Sequence, residues 1–351
     1  MAKKENKEKK DLQKNTDLDR REILKGLATL PAIAAFFVSL WAKLRRDAIK
    51  KSNLLQDLVK EKQAPAIVSS TGSDEHLRIG VIGYGGRGGH LVRGAGFATP
   101  EWTDTASENA KNNRLDKGFA TFMQQDDLNV SLVGICDLFD VRTEMGIEAS
   151  KNEIRPGGKP KETATKYRHY TDLLANDDID GVIVATPDHW HSRITIDAAK
   201  AGKNVYCEKG LTRTFDEAIK VYDAIKKTGI TFQLGHQNRQ VDANEKARQI
   251  IEQGLLGKIN LVELATNRNS PWGAWVWGIH SKGNAQTIDW DTFQEPAPNK
   301  IPFGEEALKR FFRWRCWFDY GTGLSGDLLS HDFDAINQMM DLGIPKYASS
   351  S

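Results

Sequence analysis

Gly83, Gly85 and Gly88 stand at G-x-G-x-x-G spacing in the stretch "RIGVIGYGGRGGHL". An apolar run precedes the first glycine, and a helix-like stretch follows the last. In that setting the first glycine permits a tight turn and the second lets the backbone approach a pyrophosphate. The third lets helix and strand pack closely, with the phosphates on the helix N-terminus. Gly86 and Arg87 lie inside the same loop. Farther on, "VSLVGICDLFD" ends an apolar run at Asp137, an acid placed to hold the adenosine ribose and to repel a 2′-phosphate. The expected cofactor is NAD, with NADP less favoured. Asp137 lies 54 residues after Gly83, whereas the usual gap is ~20. The excess, from about Phe97 to Leu128, reads as a polar insertion on the first helix, either a lid or an oligomer contact.

Polar and titratable residues gather in three further loops that follow apolar runs. "ATPDHWH" carries Thr186, Pro187, Asp188, His189, Trp190 and His191. "CEKG" carries Glu208 and Lys209, and "GHQNR" carries Asn238 and Arg239. Beyond them, Asp327 and His331 stand four residues apart where "YGTGLSG" runs into a stretch with Leu328, Leu329, Phe333, Ile336 and Met340. On a helix that spacing puts both side chains on one face. Such a pair either does chemistry or merely caps a helix. No metal site is expected.

The elements needed to position these residues can be read from the periodicity. Short apolar runs alternate with helical patterns from Arg78 to about 254, which predicts a doubly wound parallel sheet covered on both faces. Ligands gather where the strands of such a sheet end. After Lys258, "KINLVELATN" reads as the first strand of a second sheet. An aromatic, loop-rich stretch then holds Trp272, Trp275, Trp277, Trp290, Trp314 and Trp317, six of the nine tryptophans. Indole faces stack on the apolar faces of sugar rings, and Arg313 and Arg315 suit hydroxyls or acidic groups. The competing reading places these tryptophans in the core or a subunit interface.

The 351 residues suffice for two domains with full cores, and 39% apolar with 27% charged residues is a globular composition. A net charge of +2 offers no argument for nucleic acid. Cys136, Cys207 and Cys316 are odd in number and lack C-x-x-C spacing, which argues against a disulfide framework or a zinc knuckle. At the N-terminus, "RREILKG" at Arg20 and Arg21 precedes the uncharged run Gly26 to Ala42. This resembles a twin-arginine export signal, and its h-region is long enough to stay as a membrane anchor. A later cut near "QAPA", or a buried N-terminal helix, are the alternatives.

Taken together, "GYGGRG", "ATPDHWH", "YCEKG" and "GDLLSHDFD" resemble the glucose–fructose oxidoreductase / inositol dehydrogenase / rhizopine-catabolism (Gfo/Idh/MocA) family. The resemblance implies a Rossmann domain over 78–240 and an α/β domain with an open, mainly antiparallel sheet over 241–351, the latter incomplete here. Residues 1–45 would be the signal or anchor and 46–77 a linker. It further implies NAD(P)-linked oxidation or reduction of a sugar, sugar derivative or polyol. Lys209 and His331 would be catalytic with Asp327 orienting the histidine. The loop Pro187–Trp190 and His191 would lie near the nicotinamide, and Asn238 and Arg239 at the cofactor–substrate boundary. Trp314, Arg315 and Tyr320 are the candidates for the substrate side. The family's Glu-Lys-Pro reads Glu208-Lys209-Gly210 here, so the stiffening proline is missing. Export through the twin-arginine translocase to the periplasm, and a homo-oligomer, are expected. A related group, the NAD-dependent α-N-acetylgalactosaminidases, offers a hydrolytic alternative. That group has Tyr-Pro-Thr-His where this chain has Leu328-Leu329-Ser330-His331. A catalytically inactive sensor is the third reading.

Overall fold

The computed structural model describes residues 38–46, 49, 76–113, 116–154, 163–266, 271 and 273–347. Arg20, Arg21, the cleavage stretch 63–73, most of the run from Gly26 and Trp272 lie outside the described residues. The chain divides into two units, Val68–Gly343 and Met1–Ile67 together with Ile344–Ser351. In the second of these, residues 38–46 are helical. No helix among the described residues is long and apolar enough to cross a membrane.

The larger unit is built on six strands: β1 (Leu77–Ile82), β2 (Val130–Cys136), β3 (Thr165–Tyr167), β4 (Gly181–Val184), β5 (Asn204–Glu208) and β6 (Phe232–Gly235). All pair in parallel, in the order β3-β2-β1-β4-β5-β6. The order reverses at β1, so the crevice beyond the ends of β1 and β4 is the place where such sheets bind ligands. Adjacent residues of β1 enter different cores. Val81 joins Leu132, Ile135, Val92 and Phe97 on one face, and Ile82 joins Val184, Trp190, Ile194 and Cys207 on the other. Burial on both faces explains why the strands read as nearly continuous apolar runs.

The helices that position the site are α1 (Gly86–Gly94) after β1, α2 (Pro100–Asn112) and α3 (Gly118–Met123) in the insertion, and α4 (Asp140–Ser150) after β2. α5 (Tyr170–Leu174), α6 (Asp188–Lys200), α7 (Phe215–Thr228) and α8 (Asp242–Glu252) complete the alternation. The insertion thus forms two helices of its own rather than extending the first. Pro100 at the first position of α2 and a Thr99 cap to the Trp102 amide start the longer one.

Past α8 the structure departs from expectation. Residues 257–266 form no strand, and Leu261 is 74% exposed. A strand needs a partner edge, and none is offered to this stretch among the described residues. The six named strands form one parallel sheet, so the second, antiparallel sheet is not among the described residues. Instead α9 (Trp290–Phe293), α10 (Glu305–Phe312) and Tyr320 close a third core around Phe139, the residue two beyond Asp137. A π-helical turn (Ser325–Leu329) then leads into α11 (Ser330–Met340).

Candidate active site

The loop after β1 requires glycine at two points. Gly83 has φ +92, and a Cβ there would lie 2.8 Å from the Ala185 backbone at the end of β4. A Cβ on Gly88 would collide with the Gly83 carbonyl oxygen, so α1 can approach the strand only through glycine. Gly85 caps α1 without a side-chain bond, and the first turn holds no acid. Open space stands where a Cβ on Gly86 would be. The free N–H groups and positive end of α1 therefore face the cleft, a cradle that fits the phosphates of a dinucleotide.

Asp137 follows β2 directly and is almost fully buried. Its Oδ2 accepts from the Tyr84 amide at 2.7 Å and its Oδ1 from the Phe139 amide at 2.9 Å. Burial raises its pKa, against the nearby Arg142 cation and these amides. The acid braces the glycine loop while each oxygen keeps a lone pair for a ribose hydroxyl.

The loop after β4 divides between cleft and core. Thr186, Pro187 and Asp188 line the cleft. Asp188 also accepts from the Thr322 amide at 3.0 Å and its hydroxyl at 2.7 Å, holding the loop before the π turn against α6. His189 and Trp190 both face the Phe293 carbonyl, at 2.7 and 3.0 Å. Burial drives the His189 pKa down to about 3, so the ring is a neutral core group. His191 sets Nδ1 2.9 Å from the Gly210 carbonyl and Nε2 2.7 Å from the Thr186 carbonyl, bracing the β4 loop against the β5 loop. His189 and His191, expected at the nicotinamide, are occupied as struts.

At the end of β5, Glu208 receives Arg87 of α1 at 2.7 Å and the Tyr206 hydroxyl at 3.1 Å. Lys209 reaches across the cleft to the π turn. Its Nζ lies 2.5 Å from Asp327 Oδ1 and 2.6 Å from the Asp327 carbonyl. Arg315 Nε adds a third donor to Oδ1 at 3.0 Å. Burial works against the Asp327 carboxylate, but Arg315 and Lys209 hold its pKa below the ordinary value.

His331 opens α11 and lines the same cleft. Its Nδ1 is buried and has no hydrogen-bond partner among the described residues. Its ring meets His236 edge-on, centroids 5.4 Å apart. Burial, then Lys209 and His236, lower its pKa. Asp327, expected to orient this histidine, gives its carboxylate to Lys209 and Arg315 instead. The π turn carries Asp327 toward β5 while the regular helix begins only at Ser330.

Three further expectations shift. Asn238 and Arg239 sit in a 3₁₀ turn after β6, and Asn238 does not line the cleft. Arg239 makes a fork with Asp334 at 2.7–2.9 Å and does not line the cleft. Gln237 is the residue of that turn that does, and it accepts from Arg87 at 3.3 Å. Tyr320 is fully buried between His189, Trp290 and Phe293, so it belongs to the third core. Trp314 and Arg315 do line the cleft, with the guanidinium 4.1 Å from the indole centroid.

The whole cleft measures about 1020 Å³. It runs from the glycine loop past Lys209 and His331 to Trp275, Trp277 and Trp314. Sequence reasoning missed Trp102 of the insertion and Arg142. Neither belongs to a spacing motif, and only tertiary placement brings them to the cleft.

Residues 113–236 match the family model GFO_IDH_MocA, described as an oxidoreductase family with an NAD-binding Rossmann fold. Among curated proteins, levoglucosan dehydrogenase of Pseudarthrobacter phenanthrenivorans is 40% identical over 87 residues, 25% of this chain and 22% of that one. Alpha-N-acetylgalactosaminidase of Shewanella oneidensis is 27% identical over 179 residues, 48% of this chain and 39% of that one. Among solved structures, myo-inositol 2-dehydrogenase of Lactobacillus plantarum aligns with TM-score 0.38 and 27% identity, covering 53% of this chain and 43% of the other. The aligned segments span well under half the length of these relatives. The glycine loop and the strand order agree with that match, and residues 113–236 carry the NAD-binding Rossmann fold of the Gfo/Idh/MocA oxidoreductase family.

Proposed function

We propose that this chain oxidises or reduces a hydroxyl-bearing carbon of a sugar, sugar derivative or polyol with NAD. The observation that carries the reading is the pairing of Lys209 with Asp327 beside the unpartnered Nδ1 of His331. A lysine ammonium has three N–H groups. Two are given to Asp327, and one remains for a substrate oxygen. There it stabilises the negative charge that grows as the hydroxyl loses its proton. His331, which lines the cleft and is kept neutral by burial, takes that proton. A nicotinamide dinucleotide on the glycine loop supplies the hydride acceptor. Trp275, Trp277 and Trp314 give the far end of the cleft flat apolar faces suited to a sugar ring.

The test is a panel of sugars and polyols assayed for NADH formation, with Lys209→Ala and His331→Ala beside the parent. Each variant should lose about 10²-fold or more in turnover and still bind NAD. Parent-level turnover in both refutes the assignment.

A second reading is favoured by the relation to the α-N-acetylgalactosaminidase, the longer of the two curated alignments. Here the same proton and hydride steps run forward and back, and a glycosidic bond breaks between them. Release of an aryl aglycone without net NADH would select it.

Export is a separate proposal. The twin-arginine route carries folded chains, so NAD could be captured in the cytoplasm and travel with the protein to the periplasm. Free Cys136 and Cys207, buried in β2 and β5, suit a chain that folds before meeting an oxidising compartment. Changing Arg20 and Arg21 together to lysine should leave the protein, with its nucleotide, in the cytoplasm. Parent protein recovered only from the cytoplasm overturns this.

A further inference from the structure

Arg315 stands in the 3₁₀ turn Trp314–Cys316, between α10 and the π turn, and lines the cleft with Lys209, His331 and Trp314. Its Nε donates to Asp327 Oδ1 at 3.0 Å, and its guanidinium lies 4.1 Å from the Trp314 indole centroid. The turn itself is pinned. Arg313 Nε donates to the Trp277 carbonyl at 2.7 Å, and a Cβ on Gly321 would lie 3.4 Å from the Arg315 Cα.

A guanidinium carries five N–H donors, and the Nε donor is spent on Asp327. Among the described residues, Nη1 and Nη2 make no hydrogen bond or ion pair. The side chain is 28% exposed, so these spare donors are within reach of a ligand in the cleft. They form the end of the fork, whose two parallel N–H bonds match the two oxygens of a carboxylate. A hydroxyl would use one such donor; a carboxylate uses both and brings the opposite charge. The Nε anchor and the indole hold the fork in place before a ligand arrives, which lowers the ordering cost of binding. Distance then sets the size of the ligand. Lys209 Nζ and Arg315 Nε donate to the same Asp327 oxygen, at 2.5 and 3.0 Å. A substrate oxygen on Lys209 and a carboxylate on the Arg315 fork therefore fall within the span of one monosaccharide.

We propose that the substrate is a uronate-type sugar acid, whose carboxylate Arg315 binds while a hydroxyl of the same sugar unit meets Lys209. The inference rests on the sugar reading above and narrows it to an acidic class. The carboxylate takes no part in the bond changes. The hydroxyl carbon gives its hydride to NAD and the hydroxyl its proton to His331, which leaves a carbonyl beside an unchanged acid.

The test uses the full chain loaded with NAD and matched sets of substrates: glucose, galactose and mannose, their uronates, the uronate methyl esters and the 6-phosphates. Calorimetry measures binding, and NADH formation measures turnover, in the parent, Arg315→Gln and Arg315→Lys. Thermal unfolding checks that each variant folds. The parent should favour a uronate over its methyl ester and its neutral sugar by about tenfold or more. Arg315→Gln should collapse that ratio towards one, and Arg315→Lys should restore part of it. The ratio is the deciding readout, because a role of Arg315 that acts only by steadying Asp327 lowers acid and neutral substrates alike. Equal loss for both classes overturns the proposal, as does a parent with no preference for any uronate, or one that favours the 6-phosphates. NADH formed from neutral sugars alone keeps the dehydrogenase reading and overturns this inference. Uronate binding that depends on Arg315 but yields no NADH keeps the carboxylate site and overturns the dehydrogenase reading.

Discussion

Lys209 and Asp327 are 118 residues apart in sequence and 2.5 Å apart in space, Nζ to Oδ1, with their side chains 10% and 5% exposed. The contact links the end of β5 to the π turn, and Arg315 enters it from a third segment. One carboxylate therefore serves two cations.

That asymmetry predicts unequal costs. Asp327→Ala strands the nearly buried Lys209 and the partly exposed Arg315, and losing one partner of a buried ion pair costs about 3–5 kcal/mol. Lys209→Met leaves Asp327 still paired with Arg315, so its loss should be clearly smaller. Urea unfolding of the two variants compares them, and equal losses would show that Arg315 contributes nothing. The pH dependence has a definite sign. The folded-state pKa of Asp327 is depressed, so its contribution is complete above the ordinary carboxylate pKa of about 4. It is lost as pH falls through the lower folded value.

Arg239 and Arg315 were both read from sequence as substrate-side residues, and the structure separates them. Arg239 is half exposed, bound to Asp334 away from the cleft. A surface pair of this kind contributes about 0–1 kcal/mol. Arg239→Ala should leave KM and turnover within about twofold of the parent. Arg315→Ala removes a cleft cation that also steadies Asp327, so both kinetic parameters should worsen. A large kinetic effect of Arg239→Ala would return that residue to the site.

Two glycines of the loop should answer differently to alanine. A methyl on Gly88 meets the Gly83 carbonyl, and overpacking of this sort costs about 1–3 kcal/mol. A methyl on Gly86 meets no protein atom within 4 Å. Gly86→Ala should therefore unfold at the parent's temperature, whereas Gly88→Ala melts several degrees lower. If Gly86→Ala keeps its stability but weakens NAD, the open space beside it is where the nucleotide lies. If the two variants melt alike, the close approach of α1 to β1 has been misread.

The sheet was legible because its determinants are local and repeated. Apolar runs such as Ile79–Ile82 and Val182–Val184, each closed by turn residues, write a parallel strand directly. β3 escaped notice because it is three residues long, Thr165–Tyr167, at the sheet edge. The cleft was half legible. Gly83, Gly88, Asp137 and Lys209 follow strand ends and land where a strand end must lie. The partners of Asp327 could not be read, because i,i+4 spacing presumes a regular helix and the chain forms a π turn there. His189 and His191 looked functional by type. Their buried positions on α6 turn them into hydrogen-bonded packing instead.

The histidines give the last prediction. Burial lowers the pKa of His90, His189, His236 and His331, that of His189 to about 3. In the unfolded chain each titrates near 6.5. Between that value and its folded pKa, each histidine binds more protons unfolded than folded, so stability falls as pH drops below about 6.5. His189 extends this loss furthest, because it stays neutral down to about pH 3 while hydrogen-bonded to Phe293. Urea midpoints at pH 7 and pH 5 should therefore differ clearly in the parent, and by less in His189→Gln. The Gln variant will be less stable at pH 7, so the midpoint difference is the relevant readout, not the midpoint itself. The same depression keeps His331 in its base form at neutral pH, and the acid limb of kcat/KM should fall below pH 6.5. A limb at or above 6.5 would mean that His331 is solvated and charged in the working enzyme, and that it is not the base.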